Sequence, residues 1–435
     1  MHYFILTLLG ITCVFGLVIL IGMFGGGALR VQHGPSPRPL QPAMPGTTTL
    51  LALAVTLIIV IVTCVLLSEF DRVKVLSMEG ALLLIGNRRW NVPLIEITAL
   101  IIFSSACIAL CFFTDSAFAF TPIREYTPLI NERAETFAVV AASLLIGSAF
   151  VSPQRTAGML PVSSALHYGW TIALFLLASA ETYDIFRWAT IDMPGDVVLQ
   201  LAYLKYPAFA VVWALYSLPL VMIGLKRDLA AVVIVGLVCA LIALILGCLA
   251  GFTYEPVEHF TVLFNVRMIT LVIVAVSLYI HSQLLHRFSG AFDWLRPTLV
   301  VARIGVVLCG FILVTGETRD YFQKAMMMLT QSGSTEAAAG TIGQFLVREK
   351  IAISGMWFLY SVMLMWWGIS GKYREMQFAA GILFDACVLK VFLFDLSFLS
   401  PIFRIAAFLG LGILVAALPF VVHSIRTSIR GRPAR

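Results

Sequence analysis

The fold class the sequence predicts is all-α: a polytopic transmembrane helix bundle. Three observations predict it. Of the 435 residues, 60% are hydrophobic and only 12% are charged, whereas soluble domains carry about 45–50% and about 25%. The mean hydropathy is +0.97. Apolar runs long enough to cross a hydrocarbon core recur along the chain, separated by short polar turns. This composition excludes a soluble enzyme, a disordered protein and a nucleic-acid binder. The lipid bilayer is the implied partner, with a membrane-protein partner or a homo-oligomer left open.

Residues 1–24 open the chain as an apolar run whose basic residues, Arg30 and Arg38, come after it. A cleavable signal wants its positive charge first, so the run is expected to stay as an N-terminal transmembrane helix. Residues 25–46 are rich in Gly and Pro, including Pro35, Pro37 and Pro39, and read as a cytoplasmic linker.

Beyond the linker the chain resembles itself. Trp213-Ala-Leu-Tyr216-Ser217 leads to Gly224, Lys226 and Arg227, and Trp357-Phe-Leu-Tyr360-Ser361 leads to Gly368, Lys372 and Arg374. A weaker copy runs from Val75 through Glu79 to Gly86, Arg88 and Arg89. Acidic clusters precede each block: Glu69 and Asp71, Glu181 and Asp184, Glu317 and Asp320. Arginines open a later helix in each: Arg133, Arg267 and Arg404. The spacing predicts a four-helix unit present three times, over 47–152, 162–285 and 296–425, followed by a basic tail at 426–435. An even helix count makes the copies parallel, and one helix plus three such units gives about 13 transmembrane helices. The span over 72–87, interrupted by Glu79, is the shortest of them. The expected outer loops are 114–131, 182–205 and 318–349, the last either flexible or in part an interfacial helix with Met326–Leu329 on its membrane face.

Basic residues collect in the turns between second and third helices and in the tail. The positive-inside rule makes that side cytoplasmic. The expected setting is a bacterial inner membrane, with the N-terminus outside and the C-terminus inside. The eight cysteines lie in apolar runs, and no Cys/His spacing suits a metal. No P-loop, dinucleotide or nucleophile-elbow pattern occurs, so no cofactor, metal or catalytic residue is expected.

The stretch Leu389-Lys390-Val391-Phe392-Leu393-Phe394-Asp395-Leu396-Ser397, followed by Phe403-Arg404 and Phe408-Leu-Gly410-Leu-Gly412, resembles the C-terminal signature of a bacterial membrane family known as domain of unknown function 2339. The Trp-x-Leu-Tyr blocks resemble its helix pairs. The resemblance implies a many-helix inner-membrane protein and no activity.

Two sets of residues are functional candidates. The first is Glu79, Asp385 and Lys390. A charge near the bilayer centre costs about 2.5–3.5 kcal/mol and calls for a partner or a task. Asp385 and Lys390 are separated by about 140° around one helix, so each needs a partner elsewhere, and Glu79 is the candidate for Lys390. The alternatives are a coupled ion or substrate site, or a buried pair that fixes packing. The second set is the outer rim: Glu181, Glu317, Asp395, Arg133, Arg267 and Arg404. These are readable as structural clamps or as a surface for a charged group, which arginine's fork suits. A transporter-like protein fits best. A non-catalytic subunit of an envelope complex, and an enzyme acting on a lipid-linked or polysaccharide substrate through Glu69 and Asp71, are the alternatives.

Overall fold

The computed structural model describes residues 47–90, 92–112, 117–151, 162–252, 260–290, 292, 294–332, 335–395 and 409. The expected N-terminal helix at 1–24, the linker at 25–46, Arg404 and the tail at 426–435 lie outside the described residues. The described residues are all-α, with no strand among them. Eleven α-helices follow in order: α1 (Thr47–Leu66), α2 (Glu69–Trp90), α3 (Pro93–Phe112), α4 (Glu132–Phe150), α5 (Val162–Ala189), α6 (Gly195–Lys226), α7 (Ala230–Phe252), α8 (Val266–Arg287), α9 (Leu295–Ser332), α10 (Thr335–Ser370) and α11 (Arg374–Lys390). Nine of these, α3 to α11, contain a stretch long and apolar enough to cross a membrane, among the described residues. The stretch 72–87 falls within α2, which is not among the nine.

The chain divides into two compact units. One holds the described residues up to Ala250 with Ile269–Ala302, and the other holds Gly251–Met268 with the described residues from Arg303. In the first, α2 packs on α3 and α4, α4 on α5, and α5 on α6. Val221 and Leu225 of α6, Val233 of α7, Leu285 of α8 and Leu295 of α9 share one apolar core. In the second, α10 packs on α11. Tyr360, Leu364 and Ala380 form its core, covered by Val307, Phe311 and Val314 of α9.

The sequence block beginning Trp-x-Leu-Tyr-Ser has a physical reason in each unit. Trp213 Nε1 donates to Ser179 Oγ at 2.9 Å, and Trp357 Nε1 donates to Thr315 Oγ1 at 2.9 Å. Tyr216 OH donates to the Thr171 carbonyl at 2.6 Å, and Tyr360 OH to the Val307 carbonyl at 2.8 Å. A buried indole or phenol needs such a partner, and here each partner lies on the preceding helix of its own unit.

The glycine that follows belongs to the helix ending. Asp228 and Lys372 take the left-handed conformation, with φ of 53° and 56°. The next amide returns to the glycine carbonyl, Leu229 N to Gly224 at 2.8 Å and Tyr373 N to Gly368 at 2.9 Å. This is a Schellman ending. It folds the next helix back so closely that a Cβ on Gly224 would lie 2.6 Å from Val233 Cγ2 and 2.8 Å from Val233 N. On Gly368 it would lie 2.9 Å from Gln377 N.

Two expected loops are largely helical, 182–205 against expectation and 318–349 as continuations of the flanking spans where a partial interfacial helix is one of two alternatives. α5 runs to Ala189 and α6 starts at Gly195, while α9 runs to Ser332 and α10 starts at Thr335. No Gly or Pro interrupts Thr318–Ser332, so the polar segment continues the helix and satisfies its own backbone. Hydropathy marks where apolar spans end, not where helices end.

Gly224→Val is expected to lower the melting temperature of the detergent-purified protein, because the obstacle includes backbone. Gly86→Ala, whose Cβ would meet nothing within 4 Å, is expected to be neutral or to stabilise by up to about 1 kcal/mol. Equal losses at both sites would contradict the tight-turn reading.

Candidate functional site

Position 133 opens α4 with an arginine that is wholly buried, and position 267 opens α8 with another. A desolvated guanidinium demands anions and acceptors, and both arginines find them on the next long helix of their own unit. Arg133 Nη2 donates to Glu181 Oε1 at 2.6 Å, and its Nη1 donates to Asp184 Oδ2 at 2.5 Å. Arg267 pairs with Asp320. Glu181 and Asp184 are three apart on α5, and Glu317 and Asp320 are three apart on α9, so each acid pair faces one way.

The segment before each arginine completes the arrangement in the same manner. Leu129 and Leu263 both have positive φ, 60° and 64°. This turns Leu129 N onto Glu181 Oε2 at 2.8 Å and Leu263 N onto Glu317 Oε2 at 2.9 Å. Asn131 and Asn265 cap the helices: their Oδ1 atoms accept from Ala134 N at 2.8 Å and Met268 N at 2.9 Å. Their Nδ2 atoms donate to Glu181 Oε1 at 3.0 Å and Glu317 Oε1 at 2.6 Å, and to the carbonyls of Thr127 and Thr261. The sequence form is Thr-x-Leu-x-Asn-x-Arg at 127–133 and 261–267. The two copies differ at the edges. In the first, Tyr126 OH donates to Glu181 Oε2 at 2.8 Å, and Arg187 adds a second cation at 2.8 Å from Asp184. Burial pushes the Tyr126 phenol above its ordinary range, so it stays a donor. In the second, Phe260 stands in place of the tyrosine, and Lys324 Nζ donates to its carbonyl at 2.7 Å.

Sequence reading identified the acids and arginines and placed each pair within one four-helix unit. The structure joins α4 to α5 and α8 to α9, so each arginine reaches the helix that begins the next expected unit. The sequence marks Asn131 and Asn265 as part of the helix openings, but not their capping role or the left-handed leucine. Their spacing before Arg was the available signal.

The other candidates are not among the residues that pair in these two clamps. Lys390, near the end of α11, donates to Ser354 Oγ at 2.6 Å and to the Lys350 carbonyl at 3.0 Å on α10. Its Nζ lies 5.8 Å from the centre of the Trp357 ring. The backbone then passes into a π turn, Val391–Asp395, and the side chain of Asp395 lies outside the described residues. Asp385 is exposed on α11. Glu79 is buried on α2, and neither of its carboxylate oxygens has a hydrogen bond among the described residues. Glu79 belongs to the first unit, Asp385 and Lys390 to the second. In the Glu69 and Asp71 pair, Asp71 is occupied by Ser68 Oγ at 2.8 Å and Lys74 Nζ at 2.9 Å. No group of three or more His, Cys, Asp or Glu side chains suited to a metal exists among the described residues.

These buried charged pairs sit on membrane-spanning helices, and a family model covers the same helices. The model described as "Predicted membrane protein (DUF2339)" matches residues 46–425. The chain belongs to the DUF2339 family. It is a multi-pass membrane protein, as the C-terminal resemblance implied. No curated protein and no solved structure matches it.

Removing one partner of such a pair strands a buried charge. Arg133→Met is therefore expected to cost about 3–5 kcal/mol of unfolding free energy, and Asn131→Ala about 1 kcal/mol. Reversible unfolding in mixed micelles measures both. A loss below 1 kcal/mol for Arg133→Met would contradict the reading.

Proposed function

We propose that this protein is a transporter-like inner-membrane protein whose ligand-facing charge is Lys390. The frame consists of about 13 transmembrane helices, an N-terminal one and three parallel four-helix units at 47–152, 162–285 and 296–425. The N-terminus is outside and the C-terminus cytoplasmic. The twice-repeated Trp and Tyr anchors, glycine turns and arginine clamps support the repeat.

One observation carries the functional reading. The positions of the third unit that match the second by a constant offset are occupied differently where Lys390 sits. Trp357 matches Trp213, but Ser354 matches Ala210 and Lys390 matches Leu246. The frame folds with two apolar residues there, so fold stability alone does not require the Ser354–Lys390 pair. A cation held by a hydroxyl and a carbonyl, beside an indole and a π turn, is a polar site built into apolar helices. π turns inside helices often mark functional positions, and intramembrane charges mark solute or ion paths. The cation suits an anionic solute or anionic headgroup. The arginine clamps, being common to two units, belong to the frame rather than to this site.

A second reading has its own observation. Asp385 is exposed beside the exposed Phe378, Ile382 and Leu389 on a candidate span. A carboxylate on such a face suits a partner helix carrying a cation, as in a subunit of an envelope complex.

Thermal unfolding with a panel of small carboxylates and phosphates tests the first reading. An anion that binds is expected to stabilise the purified protein, by about 2.7 kcal/mol at a hundred times its Kd. Lys390→Met is expected to keep the ligand-free melting temperature and lose that response. If Lys390→Met instead melts lower and no anion stabilises the wild type, Lys390 is a packing pin.

A further inference from the structure

The first unit contains a cavity of about 380 Å³ between α7, α8 and the start of α9. Leu237, Leu241, Leu278, Trp294, Pro297 and Val301 are among its walls. Of the two polar side chains that line it, Thr298 Oγ1 donates to the Trp294 carbonyl at 3.0 Å, and His281 Nδ1 lies 2.7 Å from the Ser277 carbonyl, while its buried Nε2 has no hydrogen-bond partner among the described residues. Leu241 and Val301 are exposed, so the cavity is a cleft opening sideways from membrane-spanning helices. The α7 residues along it, 234 to 244, extend about 15 Å along the helix. Apart from the His281 nitrogen the walls are almost wholly apolar, so water finds too few partners to settle there, and a polar solute would lose most of its hydration without replacement.

The end of this cleft is basic. Leu225, Leu285 and Leu295 meet in one core cluster, which brings together the helix ends that carry Lys226, Arg227, Arg287 and Arg296. All four cations are exposed. These turns carry two acids in sequence, Asp228 and Asp293, against the four cations, so the charge there stays positive. Trp294, stacked on Phe292 with 5.5 Å between ring centres, lies on the same rim, where an indole suits the headgroup level. An apolar slot ending beside arginines is complementary to one occupant, an acyl chain joined to an anionic headgroup.

We infer that the α7–α8–α9 cleft is a specific site for an anionic phospholipid, with one acyl chain along Leu237 and Leu241 and the headgroup phosphate at Arg287 and Arg296. The lipid wedges α7 from α9 and ties the basic turns to the membrane surface. This inference does not depend on the role of Lys390.

Native mass spectrometry of the full-length protein, with phosphatidylglycerol or phosphatidylcholine added to the detergent, tests it. The wild type is expected to retain one phosphatidylglycerol with about ten-fold or greater preference, two arginines being beside the headgroup. Val238→Trp, which fills the cleft, is expected to abolish that retention. Should that variant fail to fold, the exposed pair Arg287→Gln and Arg296→Gln tests the same site. It is expected to keep the melting temperature and lose the preference. Equal retention of both lipids by the wild type overturns the proposal, as does a preference unchanged by the arginine pair. A dimer that Val238→Trp splits also overturns it, because the occupant is then a second copy of the chain.

Discussion

A guanidinium at the first turn of a membrane-spanning helix has two stable fates: to reach water, or to be enclosed by acceptors. Arg133 and Arg267 are enclosed. Arg133 takes both acids of the next long helix and Arg267 takes Asp320, while the capping asparagine and the amide of the left-handed leucine donate to the glutamate of each acid pair. Each clamp joins two helices that follow one another in the chain, α4 to α5 and α8 to α9. A buried ion pair is weak evidence of net stability compared with apolar packing. What it supplies is selection, because an incorrectly docked helix would leave a charge unpaired in a low dielectric.

The remaining structure is arranged around that requirement. The tight Schellman turns at Asp228 and Lys372 return the chain at one end of the helices, and the arginine clamps close the other. Trp213 and Trp357, with Tyr216 and Tyr360, fix each helix pair between those ends through one hydrogen bond apiece. Gly316 shows how little space remains: a Cβ there would run into the Arg267 guanidinium. Against such a frame, a polar pair whose offset-matched positions are apolar stands out. Ser354 and Lys390 replace Ala210 and Leu246, and the helix beyond Lys390 widens into a π turn.

Much of this was legible in the sequence, unevenly and for physical reasons. The Trp-to-Gly spacing was readable because an indole, a phenol and a close helix approach each tolerate few residue types. The rim charges were readable as kinds, since buried arginines and i, i+3 acids are rare in apolar runs. Their pairing partners were not, because a sequence repeat shows equivalent positions and not which copy meets which. The lengths of α5, α6, α9 and α10 were hidden because hydropathy reports the solvent of a helix rather than its persistence. Position 79 was singled out by its charge, and its carboxylate is buried on a helix less apolar than its neighbours. The apolar cleft beside α7 had no sequence signal at all, since its walls use the same residues as any lipid-facing helix.

A double-mutant cycle on the second clamp tests the central claim most directly. Arg267→Met and Asp320→Leu are measured singly and together by reversible unfolding. If the clamp is a desolvated, mutually dependent pair, each single change costs about 3–5 kcal/mol and the double change recovers most of that loss, leaving a large coupling energy. Costs that simply add would mean the two charges are solvated separately, and the clamp would not be what holds successive helix pairs together.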